Sequence, residues 1–243
     1  MDVSVIVPVF NEEGNLGLLY KDLKQALGSL EKEYEIIFVN DGSIDGSPAI
    51  LEEISKADRQ VKVIHFDQNY GMTSSLDAGL RLAKGGFILT MDGDFQHRTI
   101  DLVKVYQELQ NNDVVLCSRV NRQQADGFIK VASSKIANYI RNKVLEEDFV
   151  DVGCFLRGFK KDCIKDLALY RGLQVFIPSL MKMAGFRIKE IPVETSPRRY
   201  GRSKYNIRNR LWKELKALLV VKWMKKNRLN YKIKFISDTE RLR

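Results

Sequence analysis

The sequence predicts an α/β fold: a mostly parallel sheet flanked by helices, with a C-terminal amphipathic helical segment. Three observations predict it. Short apolar runs alternate with amphipathic stretches through the first half, the pattern of right-handed β-α-β crossovers. Apolar residues make up 44% of 243, enough to bury a sizeable core. Three of the apolar runs end in polar segments bearing carboxylates, at the strand ends where parallel sheets place ligands.

Taken in order, residues 3–9, 34–40, 61–67, 87–91 and 114–118 read as strands, because each is a short apolar run bounded by turn residues. Helical periodicity falls near 16–27, 47–57, 73–83 and 99–111. The second half is less regular. Residues 126–146 read as a long basic helix, 153–158 as a short extended piece, 161–169 and 175–184 as helices, and 187–193 as an alternating strand. Residues 198–205 form a basic loop containing Gly and Ser, and 206–228 a final amphipathic helix. The expected division is a catalytic unit over 1–205 and a basic helix and tail over 206–243, in contact with a membrane surface or another subunit.

The net charge of +9 is unevenly spread. Residues 198–243 carry 16 Lys/Arg and 3 Asp/Glu, a net of +13, whereas the other 197 carry 24 and 28, a net of −4. A basic tail on a near-neutral body suits an anionic surface, membrane or nucleic acid. Cys117, Cys154 and Cys163 are odd in number with no Cys-x-x-Cys spacing, which argues for buried, inert thiols in a reducing compartment. No basic n-region with a cleavage site opens the chain, so no signal peptide is expected. The apolar run 217–221 is too short to span a bilayer. Neither Gly-x-Gly-x-x-Gly nor a Walker A sequence occurs.

Asp92-Gly93-Asp94 is the most informative feature. Two carboxylates one residue apart at a strand end suit a hard cation such as Mg2+ or Mn2+, of the kind shared with substrate phosphates. Gln96 adds a third oxygen. Alone, Asp-Gly also reads as a surface turn. The loop after the first strand (Pro8-Val9-Phe10-Asn11-Glu12-Glu13) and the loop after the second (Asn40-Asp41-Gly42-Ser43) would converge on the same end of the sheet. An acidic cleft holds phosphates through a cation, which suggests a nucleotide-diphosphate ligand.

Several motifs in order carry a family resemblance: Val5-Ile6-Val7-Pro8-Val9-Phe10-Asn11-Glu12, Val39-Asn40-Asp41-Gly42-Ser43-Ile44-Asp45-Gly46, Asn69-Tyr70-Gly71, Met91-Asp92-Gly93-Asp94, Asp151-Val152-Gly153-Cys154-Phe155 and Arg199-Tyr200-Gly201-Arg202-Ser203-Lys204-Tyr205. Over residues 3 to 225 the chain resembles the family 2 inverting glycosyltransferases of GT-A (Rossmann-like) fold. The match is to the branch of dolichol-phosphate mannose synthase and bacterial polyprenyl-phosphate glycosyltransferases. The resemblance implies that Pro8, Phe10, Asn11, Glu12 and Gly71 line the substrate pocket and that Asp41 contacts the base or ribose. It implies that Asp92, Asp94 and Gln96 ligate Mg2+ or Mn2+. Arg119 and Arg122 would receive an acceptor phosphate, and Arg199, Ser203 and Lys204 would sit on a loop near the pyrophosphate or acceptor. Asp92, Asp94, Arg119, Arg199 and Lys204 form the expected catalytic set. The family often has Asp-Asp-Gly-Ser where this chain has Asn40-Asp41, and many relatives carry C-terminal transmembrane helices, of which none is expected within residues 1–243.

The implied donor is a UDP- or GDP-linked sugar and the implied acceptor a polyprenyl (dolichyl or undecaprenyl) phosphate. The expected location is the cytoplasmic face of a membrane, held through the C-terminal helix, with a homo-oligomer or a separate membrane partner as further contacts. Alternatives stay open: a GT-A glycosyltransferase acting on a hydroxyl of a soluble or polymeric glycan, a nucleotidyltransferase, or a nucleic-acid binder. The acidic Phe10-Asn11-Glu12-Glu13 loop counts against the nucleotidyltransferase, and the absence of a nucleic-acid-binding motif against the nucleic-acid binder, so no nucleic-acid partner is expected. Asp45 and Asp77 read as capping or turn groups, Glu13 as solvated and His65 as structural. His97 has two readings, donor contact or helix entry. Arg122 and Lys135 read equally as acceptor ligands or as a solvated helix face. Trp212 and Trp223 fall about 20° apart on the final helix, with Ile207, Leu211, Leu215, Leu218 and Leu219 near them, the pattern of an interfacial helix.

Overall fold

Side chains that alternate between two apolar faces build the first strand. Along β1 (Val3–Val9), Val3, Val5, Val7 and Val9 enter one core cluster, whereas Ile6 enters another on the opposite face. β2 (Tyr34–Asn40) repeats the pattern, with Tyr34, Ile36 and Phe38 on the first side and Ile37 and Val39 on the second. Both strands are buried throughout, as a sheet covered on both faces requires. This computed structural model describes residues 1–121, 128–165, 167–196 and 207–229. The expectations for Arg122, Arg199, Ser203 and Lys204 therefore lie outside the described residues.

β3 (Val61–His65), β4 (Phe87–Thr90), β5 (Val114–Arg119), β6 (Arg157–Lys160) and β7 (Ile188–Val193) complete a seven-stranded sheet of order β3-β2-β1-β4-β6-β5-β7. β6 runs antiparallel to both β4 and β5, and every other strand pair is parallel. On one face lie α1 (Glu13–Gly28), α2 (Ser47–Ala57) and α4 (Asp101–Glu108), which bury Leu16, Leu19, Leu23, Leu51, Leu102 and Val105. On the other lie α3 (Met72–Leu82), the short α6 (Lys161–Ile164) and α7 (Ile177–Ala184). Each fully buried Leu or Ile contributes about 1.5–3 kcal/mol. α3 approaches β1 so closely that a Cβ on Gly79 would stand 2.5 Å from Cγ2 of Ile6, which explains a glycine inside that helix.

α5 (Phe128–Leu145) and α8 (Ile207–Lys226) meet in a third cluster, where Leu145, Leu173 and Phe176 pack on Leu218 and Val221. Several boundaries differ from expectation. The extended piece foreseen at 153–158 pairs as a strand only over Arg157–Lys160. The helix foreseen at 161–169 is a single turn, α6. The helix foreseen at 175–184 begins as a 3-10 turn, Leu173–Val175, and restarts at α7 with Pro178 in its first turn, where a missing N–H costs nothing.

Candidate active site

Three strand ends build the site. The β1 and β2 exits are laced together: Asn11 N donates to Ser43 Oγ at 2.9 Å, Ile44 N donates to Asn11 Oδ1 at 2.8 Å, and Glu12 N donates to Ser47 Oγ at 2.9 Å. Asn11 adopts φ 53°, a left-handed conformation that Asn tolerates better than most residues. Glu12 Oε2 accepts from Asn15 Nδ2 at 2.6 Å. Glu13 is exposed, as expected of a solvated group, and its Oε2 accepts the Gly46 N–H at 2.6 Å, which ties the start of α1 to the start of α2. Asp45 Oδ1 accepts from Ser47 N at 3.0 Å in the turn role foreseen for it. His65 bridges Asn40 and Glu52, at 3.0 Å on each ring nitrogen.

The third strand end supplies the carboxylate pair. Met91 N donates to Ile6 O at 3.1 Å, so the β1–β4 pairing persists up to Asp92. A Cβ on Gly93 would stand 3.0 Å from Pro8 O, which packs the metal-type loop directly on the β1 exit. Asp94 is buried, and its Oδ1 accepts from Gln96 N at 3.2 Å. Phe95 between them has φ 61°. Two carboxylates and a side-chain amide within one short loop are the oxygen-donor types that divalent ions take, with phosphates completing the shell. Among the described residues, no group of three or more His, Cys, Asp or Glu could hold a metal by itself. A cavity of about 340 Å3 lies beside this loop, lined by Asp22, Phe95, His97, Arg98, Thr99, Ile100 and Ser196; neither Asp92 nor Asp94 borders it.

Asp41 and Arg119 are both engaged within the protein. The Asp41 carboxylate accepts from Asn69 Nδ2 at 2.9 Å, Tyr70 N at 2.7 Å and Gly71 N at 2.9 Å, and thereby shapes the turn that opens α3. Burial pushes its pKa up, opposed by the Tyr70 and Gly71 amides. Arg119 forms a two-pronged pair with Asp151, Nε–Oδ2 at 2.7 Å and Nη2–Oδ1 at 3.0 Å. Glu190 of β7 holds the Asp151 segment by accepting from Val150 N at 3.0 Å. Beneath that segment Arg157 is buried, donating to the carbonyls of Cys154 at 2.7 Å, Gln174 at 2.8 Å and Val152 at 2.5 Å. Burial lowers its pKa. Burial also holds His97 neutral, its pKa lowered to about 4, with the nearby Arg119 charge acting in the same direction.

Sequence reasoning missed Glu190, Arg157, Asn121 and Thr195. None stands in a recognisable pattern, and each acts on a partner distant in the chain. Asp151 was visible within a motif, but its partnership with Arg119 was not. The three cysteines are buried with thiol pKa values raised by burial, as inert core groups should be.

A parallel sheet with one antiparallel strand, ending in a strand-end carboxylate pair, is the GT-A arrangement of nucleotide-sugar enzymes. Residues 4–168 match the family described as glycosyl transferase family 2, and the chain belongs to that family. It is 35% identical over 206 residues to the undecaprenyl-phosphate 4-deoxy-4-formamido-L-arabinose transferase of Proteus mirabilis, a match spanning 84% of this chain and 63% of that protein. Its fold is similar to a mannosyltransferase from Pyrobaculum calidifontis solved with GDP-Man and Mn2+ (TM-score 0.62, 20% identity, 94% of this chain and 65% of that one). It is also similar to glucosyl-3-phosphoglycerate synthase from Mycobacterium tuberculosis, solved with Mn2+, UDP-Glc and phosphoglyceric acid (TM-score 0.67, 13% identity, 92% and 79%).

Proposed function

We propose that this chain is a metal-dependent inverting glycosyltransferase that moves a sugar from a nucleotide-diphosphate sugar to a polyprenyl phosphate. The observation that carries the reading is the Asp92–Asp94 pair at the end of β4, packed on the β1 exit, in a chain of this family. The Proteus relative, named for an undecaprenyl-phosphate acceptor, supports the acceptor class. Asp92, Asp94 and Gln96 would hold Mg2+ or Mn2+, which when bound would offset charge on the departing nucleoside diphosphate. Pro8, Phe10, Asn11, Glu12, Asp41 and Gly71 would border the nucleoside.

A phosphate monoester has a second pKa of about 6, so its attacking oxygen is already anionic near neutral pH and no strong general base is required. The chain's contribution is then positioning and charge stabilisation. Arg119, oriented by Asp151, would face the acceptor phosphate together with Arg122, Arg199, Ser203 and Lys204. In-line attack would invert the anomeric carbon.

Contact with the membrane surface, at its cytoplasmic face, would come from the outward side of α8. Trp223, Leu219, Val220 and Leu215 are exposed there, with Lys216, Lys222 and Lys226 among them. Among the described residues no helix is long and apolar enough to cross a membrane, so this contact would be peripheral. The test is transfer from a panel of UDP- and GDP-sugars to a short polyprenyl phosphate, with and without chelator. Transfer to glycan hydroxyls alone, or transfer undiminished by chelator, overturns the reading.

A further inference from the structure

β5 and β7 run parallel side by side, and just past their ends the chain stops pairing by backbone alone. Asn121 takes over. Its Oδ1 accepts from Thr195 N at 2.7 Å and its Nδ2 donates to Thr195 O at 2.9 Å, so the side-chain amide imitates a strand partner. The Thr195 hydroxyl adds a weaker contact to the same Oδ1 at 3.3 Å. From its other side Thr195 forms a backbone bridge with His97, and Ser196 N donates to Gln96 O at 2.9 Å. Thr195 is buried. One two-residue segment is therefore gripped by the metal-type loop and by the β5 exit at once.

The sequence positions give this junction its meaning. Asn121 follows Arg119 by two residues at the exit of β5, and Thr195 and Ser196 lie against His97 and Gln96, next to Asp92 and Asp94 in the chain. We infer that Asn121 is a positioning residue: through Thr195 and Ser196 its amide fixes the β5 exit, which carries Arg119, against the Asp92–Gln96 loop, and so sets the distance between Arg119 and the donor diphosphate. The inference rests on the glycosyltransferase reading for its functional part and on the clamp geometry alone for its structural part. Asn121 touches no substrate in this scheme; it acts through Thr195.

The loss expected follows from the bonds removed. Two amide hydrogen bonds at a partly buried site correspond to about a tenfold effect. In the Asn121→Ala protein the acceptor KM should rise about tenfold, with kcat changed far less. Affinity for the nucleotide with Mn2+, read by calorimetry, should stay within about twofold, because Asp92 and Asp94 are held by β4 itself. Amide hydrogen exchange at Thr195 and Ser196 should quicken about tenfold, while β1 to β4 amides keep their protection. Asn121→Asp, which keeps the oxygen facing Thr195 N–H but loses the donor, should fall between the two and carries the test if the alanine variant loses its folded circular dichroism. Unchanged exchange at Thr195 and Ser196 in both variants overturns the clamp. Quickened exchange with an unchanged acceptor KM overturns the positioning role. If the wild-type chain transfers no sugar to any acceptor, the function reading fails instead, and exchange alone decides the clamp.

Discussion

Arg119 and Asp151 meet fork to fork, with Nε–Oδ2 at 2.7 Å and Nη2–Oδ1 at 3.0 Å, and both side chains are nearly withdrawn from solvent. This geometry fixes the guanidinium plane as well as its charge. The pairing holds the guanidinium in one place, which the acceptor-phosphate role proposed for Arg119 would require. Removing one partner strands the other. Asp151→Ala should destabilise the fold by about 3 kcal/mol and lower transfer, and a double-mutant cycle with Arg119→Ala should show coupling of at least about 1 kcal/mol. Urea unfolding of the four proteins measures both; additive losses would show that the pair does not act as a unit.

Asp94→Ala should cost roughly a thousandfold in transfer and little in stability. The side chain accepts a hydrogen bond from Gln96 N, worth about 1 kcal/mol. The strand beneath it is anchored by buried Leu89, Thr90 and Met91, which the substitution does not touch. Activity with and without chelator, set beside the thermal midpoint, separates the two effects. A variant as active as wild type in chelator removes Asp94 from the metal site.

Gly42 follows Asp41 with φ +67°, and a Cβ there would stand 2.3 Å from the backbone carbon of Gln68. No side-chain rotation relieves a clash with backbone. Gly42→Ala should therefore push the β2 exit away from residues 68–71 and break the bonds by which Asp41 holds Tyr70 and Gly71. The expected cost is about 2–4 kcal/mol. Nucleotide affinity should fall alongside Asp41→Ala in calorimetry with UDP and GDP. Unchanged affinity for the preferred nucleotide in both variants would detach this loop from the nucleoside.

The first half of the chain was readable because parallel strands covered on both faces leave continuous apolar runs, and because the turn after each is polar. Asp92 and Asp94 were readable for the same reason: their place depends on one strand and its end. The second half was not, because partners chosen across the sheet decide it. β6 pairs antiparallel between β4 and β5, and nothing within Arg157–Lys160 announces that. Asn121 and Thr195 lie 74 residues apart, so their clamp has no local signature. Nothing in the sequence around Arg157 marks it for burial, yet three carbonyls take it inside.

Asp113 gathers three strands at the start of β5. It accepts from Arg187 N at 3.0 Å, pairs with Arg187 Nε at 3.3 Å, and pairs with Lys160 Nζ at 3.3 Å. Arg187, by side chain and amide, holds its pKa down to about 2. A carboxylate depressed in the folded state stabilises above its unfolded value, near 3.8, and loses that contribution as pH falls through about 2. Discounted for solvent screening, the effect is about 1 kcal/mol. Unfolding free energy of wild type should drop over this window, and that of Asp113→Asn should drop less. Parallel profiles for the two proteins would assign acid sensitivity elsewhere.

Leu218 and Trp223 separate the two duties of α8. Five residues place them about 140° apart around the helix. Leu218 is buried with Val221 against Leu145, Leu173 and Phe176, whereas Trp223 is 66% exposed beside Leu219. Leu218 thus does not share the Trp223 face, contrary to the single stripe expected from sequence. The side chains of Ile207, Leu211, Trp212 and Lys213 lie outside those described. The helix is apolar on two sides, one spent on packing and one left outward, which is the arrangement a peripheral membrane contact requires. Leu218→Ala should cost about 2–4 kcal/mol of stability and leave vesicle binding of the folded protein unchanged. The paired change Leu219→Ser with Trp223→Ser should barely move the unfolding midpoint and should sharply weaken sedimentation with anionic vesicles at low salt. High salt should weaken binding of the wild type as well, because the basic residues among these side chains act through a screened field, worth roughly 1 kcal/mol per Lys or Arg at an anionic surface. Wild-type protein that ignores anionic vesicles at low salt would leave the outward face to another subunit and deprive the lipid-phosphate acceptor of its support from this helix.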